Sequence, residues 1–158
     1  MKTLIVYYSR TGTTKKAAVA IANALQCDIE EIKENKNRAG IWGWLTAGRD
    51  ATLGSLTKIK DIGRDISSYD LIVIGGPVWA SNVCPPVRTF LVQYLDQIKN
   101  VAFFCTEGGR GSNRAFDSME KAAGKAPAAT LVLRRMEMIS GKYPGKVSEF
   151  VDKIRTSR

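Results

Sequence analysis

The chain has 158 residues, 44% hydrophobic and 25% charged, a balance expected of one globular domain spanning residues 1–158 with a sizeable core. No apolar run approaches the ~20 residues needed to cross a bilayer, so no membrane span is expected. Histidine is absent, which excludes His-based metal sites, Ser-His-Asp triads and histidine general bases.

Charge narrows the partners. The net charge is +9, and the excess sits late: residues 80–158 carry 13 Lys/Arg against 7 Asp/Glu. Such a balance suits nucleic acid, an anionic membrane face or an acidic protein. The basic residues form no dense run and no nucleic-acid recognition motif is visible, so no nucleic-acid partner is expected. Three widely spaced cysteines, Cys27, Cys84 and Cys105, form no CxxC and point to reduced thiols in a cytoplasmic protein. The N-terminus enters a strand directly, without the charged and apolar regions of a signal peptide.

The first strand is Leu4-Ile5-Val6-Tyr7-Tyr8, and Ser9-Arg10-Thr11-Gly12-Thr13-Thr14 follows it. A helix then runs from about Thr14 to Leu25, with Ala18, Ile21, Ala22 and Leu25 on one face. The first N–H groups of such a helix lack intrahelical partners and sit at its positive end, so an anion fits there. Ser9, Thr11, Thr13 and Thr14 add hydroxyl donors, and Gly12 lets the backbone approach a ligand closely. The competing reading is a capped βα turn, since Ser and Thr are ordinary N-caps. Neither G-x-x-x-x-G-K-[ST] nor G-x-G-x-x-G follows the strand, which excludes a P-loop NTPase and a Rossmann dinucleotide fingerprint.

Asp28-Ile29-Glu30-Glu31-Ile32 alternates polar and apolar, as an edge strand does. Residues 36–68 are poorly patterned, with a short helix expected over Thr46 to Leu53. The neighbouring Trp42 and Trp44 suit core cover, a second subunit or a ligand. Leu71-Ile72-Val73-Ile74 reads as a central parallel strand, and Pro85-Pro86 opens a helix with an apolar stripe of Val87, Phe90, Leu91, Tyr94, Leu95 and Ile98. Val101-Ala102-Phe103-Phe104-Cys105 is a fourth strand. Ser112 is expected to cap a helix carrying Phe116, Met119 and Ala123. Thr130-Leu131-Val132-Leu133 is a fifth strand, and Val147, Phe150, Val151 and Ile154 mark a closing helix.

Strands alternating with helices predict an α/β doubly wound parallel sheet of five strands. Ligands of such sheets bind beyond the carboxyl ends of the strands. Three loops should meet there: Ser9 to Thr14, Gly75 to Pro85, and Thr106 to Ser112. In the second, Trp79 stands just past a buried strand, where it can stack on a planar ligand or pack on a helix. The third, Thr106-Glu107-Gly108-Gly109-Arg110-Gly111-Ser112, exposes backbone groups or is a flexible connection. A receiver domain needs acidic residues where Ser9 and Gly75 stand, and a cysteine phosphatase needs a thiol in the anion loop. Cys84 reads as a bystander thiol.

Ser9, Thr11, Gly12 and Thr14 match the [ST]-x-T-G-x-T phosphate loop of flavodoxins. Gly75-Gly76-Pro77-Val78-Trp79-Ala80 followed by Pro85-Pro86-Val87-Arg88-Thr89-Phe90-Leu91 resembles their second FMN loop, and Thr106 to Ser112 sits where their third lies. The chain thus resembles the flavodoxin family over essentially its whole length. The resemblance implies strand order 2-1-3-4-5, with FMN at the switch between strands one and three, as flavodoxin itself has it. It implies that Ser9, Arg10, Thr11, Gly12, Thr13 and Thr14 bind the phosphate. It implies that Pro77, Val78, Trp79, Ala80 and Asn82 flank the isoalloxazine, and that Thr106, Glu107, Gly108 and Gly109 hold its other side.

The chain departs from that pattern in places. Well-studied carriers are acidic, and this chain is basic. Some place glycine after the tryptophan, permitting a peptide flip on reduction, where Ala80 stands here. The third loop lacks their Asp and Tyr pattern. The stretch from Gly40 to Leu53 is closer to less-characterised members of the family. The first expectation is an electron carrier between redox proteins, with an acidic partner suiting the charge and the chain acting as monomer or homodimer. The alternative is an FMN-dependent oxidoreductase passing hydride from NAD(P)H to quinone or flavin. The third is a flavin-free binding module using its basic face.

Overall fold

The computed structural model describes residues 1–34 and 56–157. Trp42, Trp44 and the helix expected over Thr46 to Leu53 lie outside them. The strands are β1 (Thr3–Tyr7), β2 (Asp28–Glu31), β3 (Leu71–Trp79), β4 (Asn82–Val83), β5 (Val101–Glu107) and β6 (Thr130–Arg134). The helices are α1 (Thr13–Leu25), α2 (Pro85–Gln93), α3 (Ser112–Ala123), α4 (Arg135–Ser140) and α5 (Pro144–Thr156).

Five parallel strands take the order β2-β1-β3-β5-β6, and the two-residue β4 pairs antiparallel with the end of β3. With β4 set aside as a hairpin return, this is the expected 2-1-3-4-5 sheet. The chain leaves β1 for β2 on one side and then crosses to β3 on the other, which opens a crevice between the carboxyl ends of β1 and β3. Strand periodicity sends alternate residues to opposite faces. Ile5, Tyr7 and Val73 join Ala17, Ile21, Phe150 and Ile154 of α1 and α5 on one face. Leu4, Val6, Ile72 and Ile74 join Val87, Phe90 and Met119 of α2 and α3 on the other. Both faces of β1 are therefore buried, as its unbroken apolar run requires. Among the described residues β2 pairs within the sheet only with β1, and its four residues are half-buried, as an edge strand should be.

Two strands outrun their sequence expectation. β3 continues past Ile74 through Gly75, Gly76 and Pro77 to Trp79, and β5 continues past Cys105 to Glu107. Glycine and proline weaken a strand taken alone. Here Gly75, Gly76 and Pro77 pair with Phe104, Cys105 and Thr106, and a side chain at Gly75 would collide with the Phe104 ring. Ser112 does not cap α3. The N-cap is Gly111 at φ 115°, Ser112 is the first helical residue, and its N–H donates to the buried Glu107 carboxylate at 3.0 Å. Helix α4, six residues long, carries no sequence expectation.

Candidate functional site: three loops at the carboxyl rim of the sheet

The first loop leaves β1 and enters α1. Tyr8 N–H donates to Gly75 O at 3.1 Å, which holds the loop against β3. Ser9 Oγ accepts from Gly12 N–H at 3.0 Å, closing the turn. Gly12 lies at φ 96°, a left-handed conformation that favours glycine. The first intrahelical bond runs from Lys16 N–H to Gly12 O, so Thr13, Thr14 and Lys15 present N–H groups with no acceptor inside the helix. No described side chain caps this end, and no acidic residue stands in the first turn. The hydroxyls therefore do not serve as the N-cap that the competing sequence reading allowed. Thr11 and Gly12 are exposed, and Ser9, Arg10 and Thr13 are half-buried. Thr14 is buried, with its Oγ1 2.7 Å from Thr106 Oγ1.

The second loop is a tight hairpin. Trp79 pairs with Asn82 and Val78 with Val83, leaving Ala80 and Ser81 as the two central residues. Both have positive φ, 49° and 59°, the geometry of a type I′ turn made without glycine. Left-handed backbone costs an L-residue about 1–2 kcal/mol, so surrounding contacts must hold this turn. Asn82 Oδ1 accepts from Val83 N–H at 2.9 Å and from Arg88 Nη2 at 3.0 Å. Half-buried Trp79 meets Tyr8 edge to face, centroids 5.7 Å apart.

The third loop follows β5. Thr106 and Glu107 are buried, whereas Gly108 and Gly109 are exposed. Glu107 turns its carboxylate away from the open rim. It accepts from Ser112 N–H and faces Arg134 Nε at 3.7 Å. Its side chain thus holds the loop, and only its backbone is left to address a ligand.

Contacts tie the three loops together. Thr14 with Thr106 joins the first to the third, and Tyr8 with Trp79 joins the first to the second. Gly111 joins the third to the second, since a Cβ there would lie 2.7 Å from Ser81 Cα. The residues singled out from sequence therefore converge on one rim. Ser81 and Gly111 lie within the second and third loops expected at this rim, whereas the bracing roles of Tyr8 and Arg88 were missed. Tyr8 reads as the end of an apolar run and Arg88 as a charge on a helix face, so neither carries a local signal.

A model of the family described as Flavodoxin matches residues 2–154. The chain belongs to the flavodoxin family. Among solved structures it is similar to a flavoprotein of Lactobacillus acidophilus NCFM in complex with FMN. That protein is 28% identical, with 90% of this chain and 97% of that one covered and a TM-score of 0.71. It shares its fold with a candidate flavoprotein of Bacteroides eggerthii DSM 20697, at 23% identity, coverage of 98% of each chain and a TM-score of 0.76. The two-electron reduced flavodoxin of Megasphaera elsdenii has the same fold at 20% identity, covering 96% of this chain and 97% of that one, with a TM-score of 0.61. No curated protein matches the chain.

A flavodoxin cofactor needs an anion seat and room for a flat ring. Among the described residues, the start of α1 has N–H groups with no side-chain cap, and a Cβ on Gly12, Gly108 or Gly109 would meet no described atom within 4 Å. The thiols stand apart from that chemistry. Burial pushes Cys105 well above the usual thiol range and Cys27 up to about 11, so neither is a thiolate at neutral pH. Cys84 is buried, and a Cβ on Gly76 would lie 2.9 Å from its Sγ.

Proposed function

We propose that this protein binds FMN at the carboxyl rim and carries electrons between redox proteins. The observation that carries the reading is the start of α1: a hydroxyl-lined turn whose first N–H groups have no side-chain cap or counter-anion among the described residues, next to the Tyr8–Trp79 ring contact. Bound FMN supplies one- and two-electron redox chemistry. The residues' own task is to bind and orient it. Ser9, Arg10, Thr11, Gly12, Thr13 and Thr14 would hold the phosphate. Pro77, Val78, Trp79, Ala80 and Asn82 would flank the ring, and Thr106, Glu107, Gly108 and Gly109 would offer backbone groups to its polar edge.

The rim around the site supports a protein partner of acidic character. Arg110, Arg114, Arg134 and Arg135 are exposed there, on the third loop, the first turn of α3, and the junction of β6 with α4. Such a surface speeds encounter with a negative partner, and the rate falls as salt screens it.

Visible absorption of the purified protein tests the flavin, and a flavin-free protein that takes up no added FMN rejects the reading. Steady-state NAD(P)H oxidation with quinone tests the function class. Slow turnover is expected of a carrier, and rapid turnover assigns the chain to FMN-dependent NAD(P)H:quinone or flavin oxidoreductases instead. Trp79→Ala should weaken FMN binding and partly restore the fluorescence of bound flavin.

A further inference from the structure

Arg88 is the charge least explained by the fold. It sits one turn into α2, below the hairpin that carries Trp79. A guanidinium on a helix ordinarily reaches solvent, yet Arg88 Nε is buried and has no hydrogen-bond partner among the described residues. Burial holds its pKa below the usual guanidinium value. A half-buried guanidinium with a buried, unpaired Nε is costly, so the contacts it does make are what keep it there. Both use Nη2, which donates to Asn82 Oδ1 at 3.0 Å and to Ser118 Oγ at 2.8 Å. Asn82 is the residue paired with Trp79 across the hairpin, and Ser118 is on α3. Arg88 thus ties the hairpin to both helices that cover this face of the sheet.

The hairpin needs such a tie. Ala80 and Ser81 occupy the left-handed region that glycine would take without strain, and a released turn of this sequence would relax out of it. On one side the turn is braced by the close approach of Gly111 to Ser81. On the other side stands Arg88.

We propose that Arg88 is a positioning residue for the cofactor: through Asn82 and Ser118 it holds the strained 80–81 turn, and with it Trp79, in the ring-binding arrangement before any flavin arrives. The inference rests on the FMN-binding reading. A turn held beforehand costs nothing when the ligand binds, whereas a turn that has relaxed must be strained again at the expense of affinity. The planar fork of arginine matters, because a lysine at the same place keeps the charge but not the geometry.

The test crosses Arg88 with Ser81. FMN affinity and flavin fluorescence are titrated in the wild type, Arg88→Met, Ser81→Gly and the double variant. Arg88→Lys and Ser118→Ala are the milder substitutes should Arg88→Met not fold. Arg88→Met is expected to weaken FMN about tenfold and to reduce quenching of the bound flavin. Ser81→Gly alone should change affinity little, because the turn is already formed. In the Arg88→Met background it should restore affinity by roughly fivefold, because glycine re-enters the left-handed region without strain. Ser118→Ala should act in the same direction but less. In the flavin-free protein, the Trp79 indole resonance should shift in Arg88→Met and move back in the double variant.

Unchanged affinity and quenching in Arg88→Met, with FMN bound by the wild type, overturn the inference. Equal effects of Ser81→Gly in both backgrounds overturn it as well, since Arg88 would then act independently of the turn. A wild type that binds no FMN is a different failure, that of the FMN reading itself. In that case an unmoved Trp79 resonance also removes the hold on the turn.

Discussion

Helices α1 and α3 begin alike and end up in opposite electrostatic states. Each starts at the carboxyl rim, behind a glycine held in the left-handed region, Gly12 at 96° and Gly111 at 115°. Neither N-cap uses its own side chain. At α3 the chain supplies an anion of its own, because the buried Glu107 carboxylate accepts from Ser112 N–H. At α1 no acidic residue stands in the first turn. The carboxylate completes the start of α3, and the start of α1 is the one proposed to seat the phosphate. The two glycines differ in the same sense: Gly111 abuts Ser81, whereas a Cβ on Gly12 would meet none of the described residues within 4 Å.

The largest expected effect comes from placing one side chain at each glycine. Gly12→Val should fold with only the loss due to backbone strain, and should bind FMN about 100-fold or more weaker, because the new side chain fills the cradle. Gly111→Val carries the same strain and also drives a Cβ into the Ser81 backbone. Its main loss should be stability, roughly 2–4 kcal/mol by thermal unfolding. Identical losses in both variants would erase the distinction between the two helix starts.

Hydroxyls give the next effect. Thr11→Ala should cost FMN affinity by roughly 10- to 100-fold, the range for losing a hydrogen bond to a charged group, with Tm unmoved. Thr14→Val should lower both, because Thr14 Oγ1 also pairs with Thr106 inside the core. A Thr11→Ala variant that binds FMN as the wild type does would remove Thr11 from the phosphate seat. Glu107→Gln tests the other helix. It should cost stability by about 1–3 kcal/mol and leave the ratio of FMN to riboflavin affinity unchanged, because the carboxylate serves Ser112 and Arg134 and not the phosphate. A changed ratio, measured by parallel titrations, would show that Glu107 reaches the phosphate end.

The smallest effect concerns a third helix start on this rim. At α4, Glu137 Oε2 accepts from Arg134 N–H at 2.8 Å, and Glu137 Oε1 pairs with Lys146 at 2.6 Å. The hydrogen bond from Lys146, then that from Arg134 N–H, hold the Glu137 pKa below the usual carboxylate range. A depressed carboxylate pKa means that the unfolded state binds the proton more readily. The contribution is therefore complete above the unfolded value, about 4.3, and is lost as pH falls through the lower folded value. The pair is part-exposed, so it is worth under about 1 kcal/mol. Unfolding curves of wild type and Glu137→Gln should differ at neutral pH and converge in acid, and a gap independent of pH would contradict this.

The sheet is legible in the sequence because burial on both faces writes unbroken apolar runs into β1, β3 and β5. The amphipathic stripes of α1, α2 and α5 are legible for the same reason. The strand ends are not. Gly75, Gly76 and Pro77 read as loop, and their pairing with Phe104, Cys105 and Thr106, together with that of Gly75 with Tyr7, keeps them extended. Helix α4 is too short for its period to register, at six residues. Within the site, composition marks the three loops, since hydroxyls, a tryptophan past a buried strand and a glycine run are local features. What fastens the loops is tertiary: Tyr8 on Trp79, Gly111 under Ser81, and Arg88 between Asn82 and Ser118. Ser112 shows the limit most plainly. A serine before a helical pattern is a sound cap signal, and here a carboxylate five residues upstream takes that place.

The central claim is that the start of α1 awaits a phosphate from outside the chain. Calorimetric titration of the flavin-free protein with FMN and with riboflavin tests it most directly, since the two ligands share the ring and differ in the phosphate. One FMN per chain is expected, with riboflavin binding weaker by about 100-fold or more, the worth of two or more charged hydrogen bonds. Equal affinities for the two ligands would contradict it.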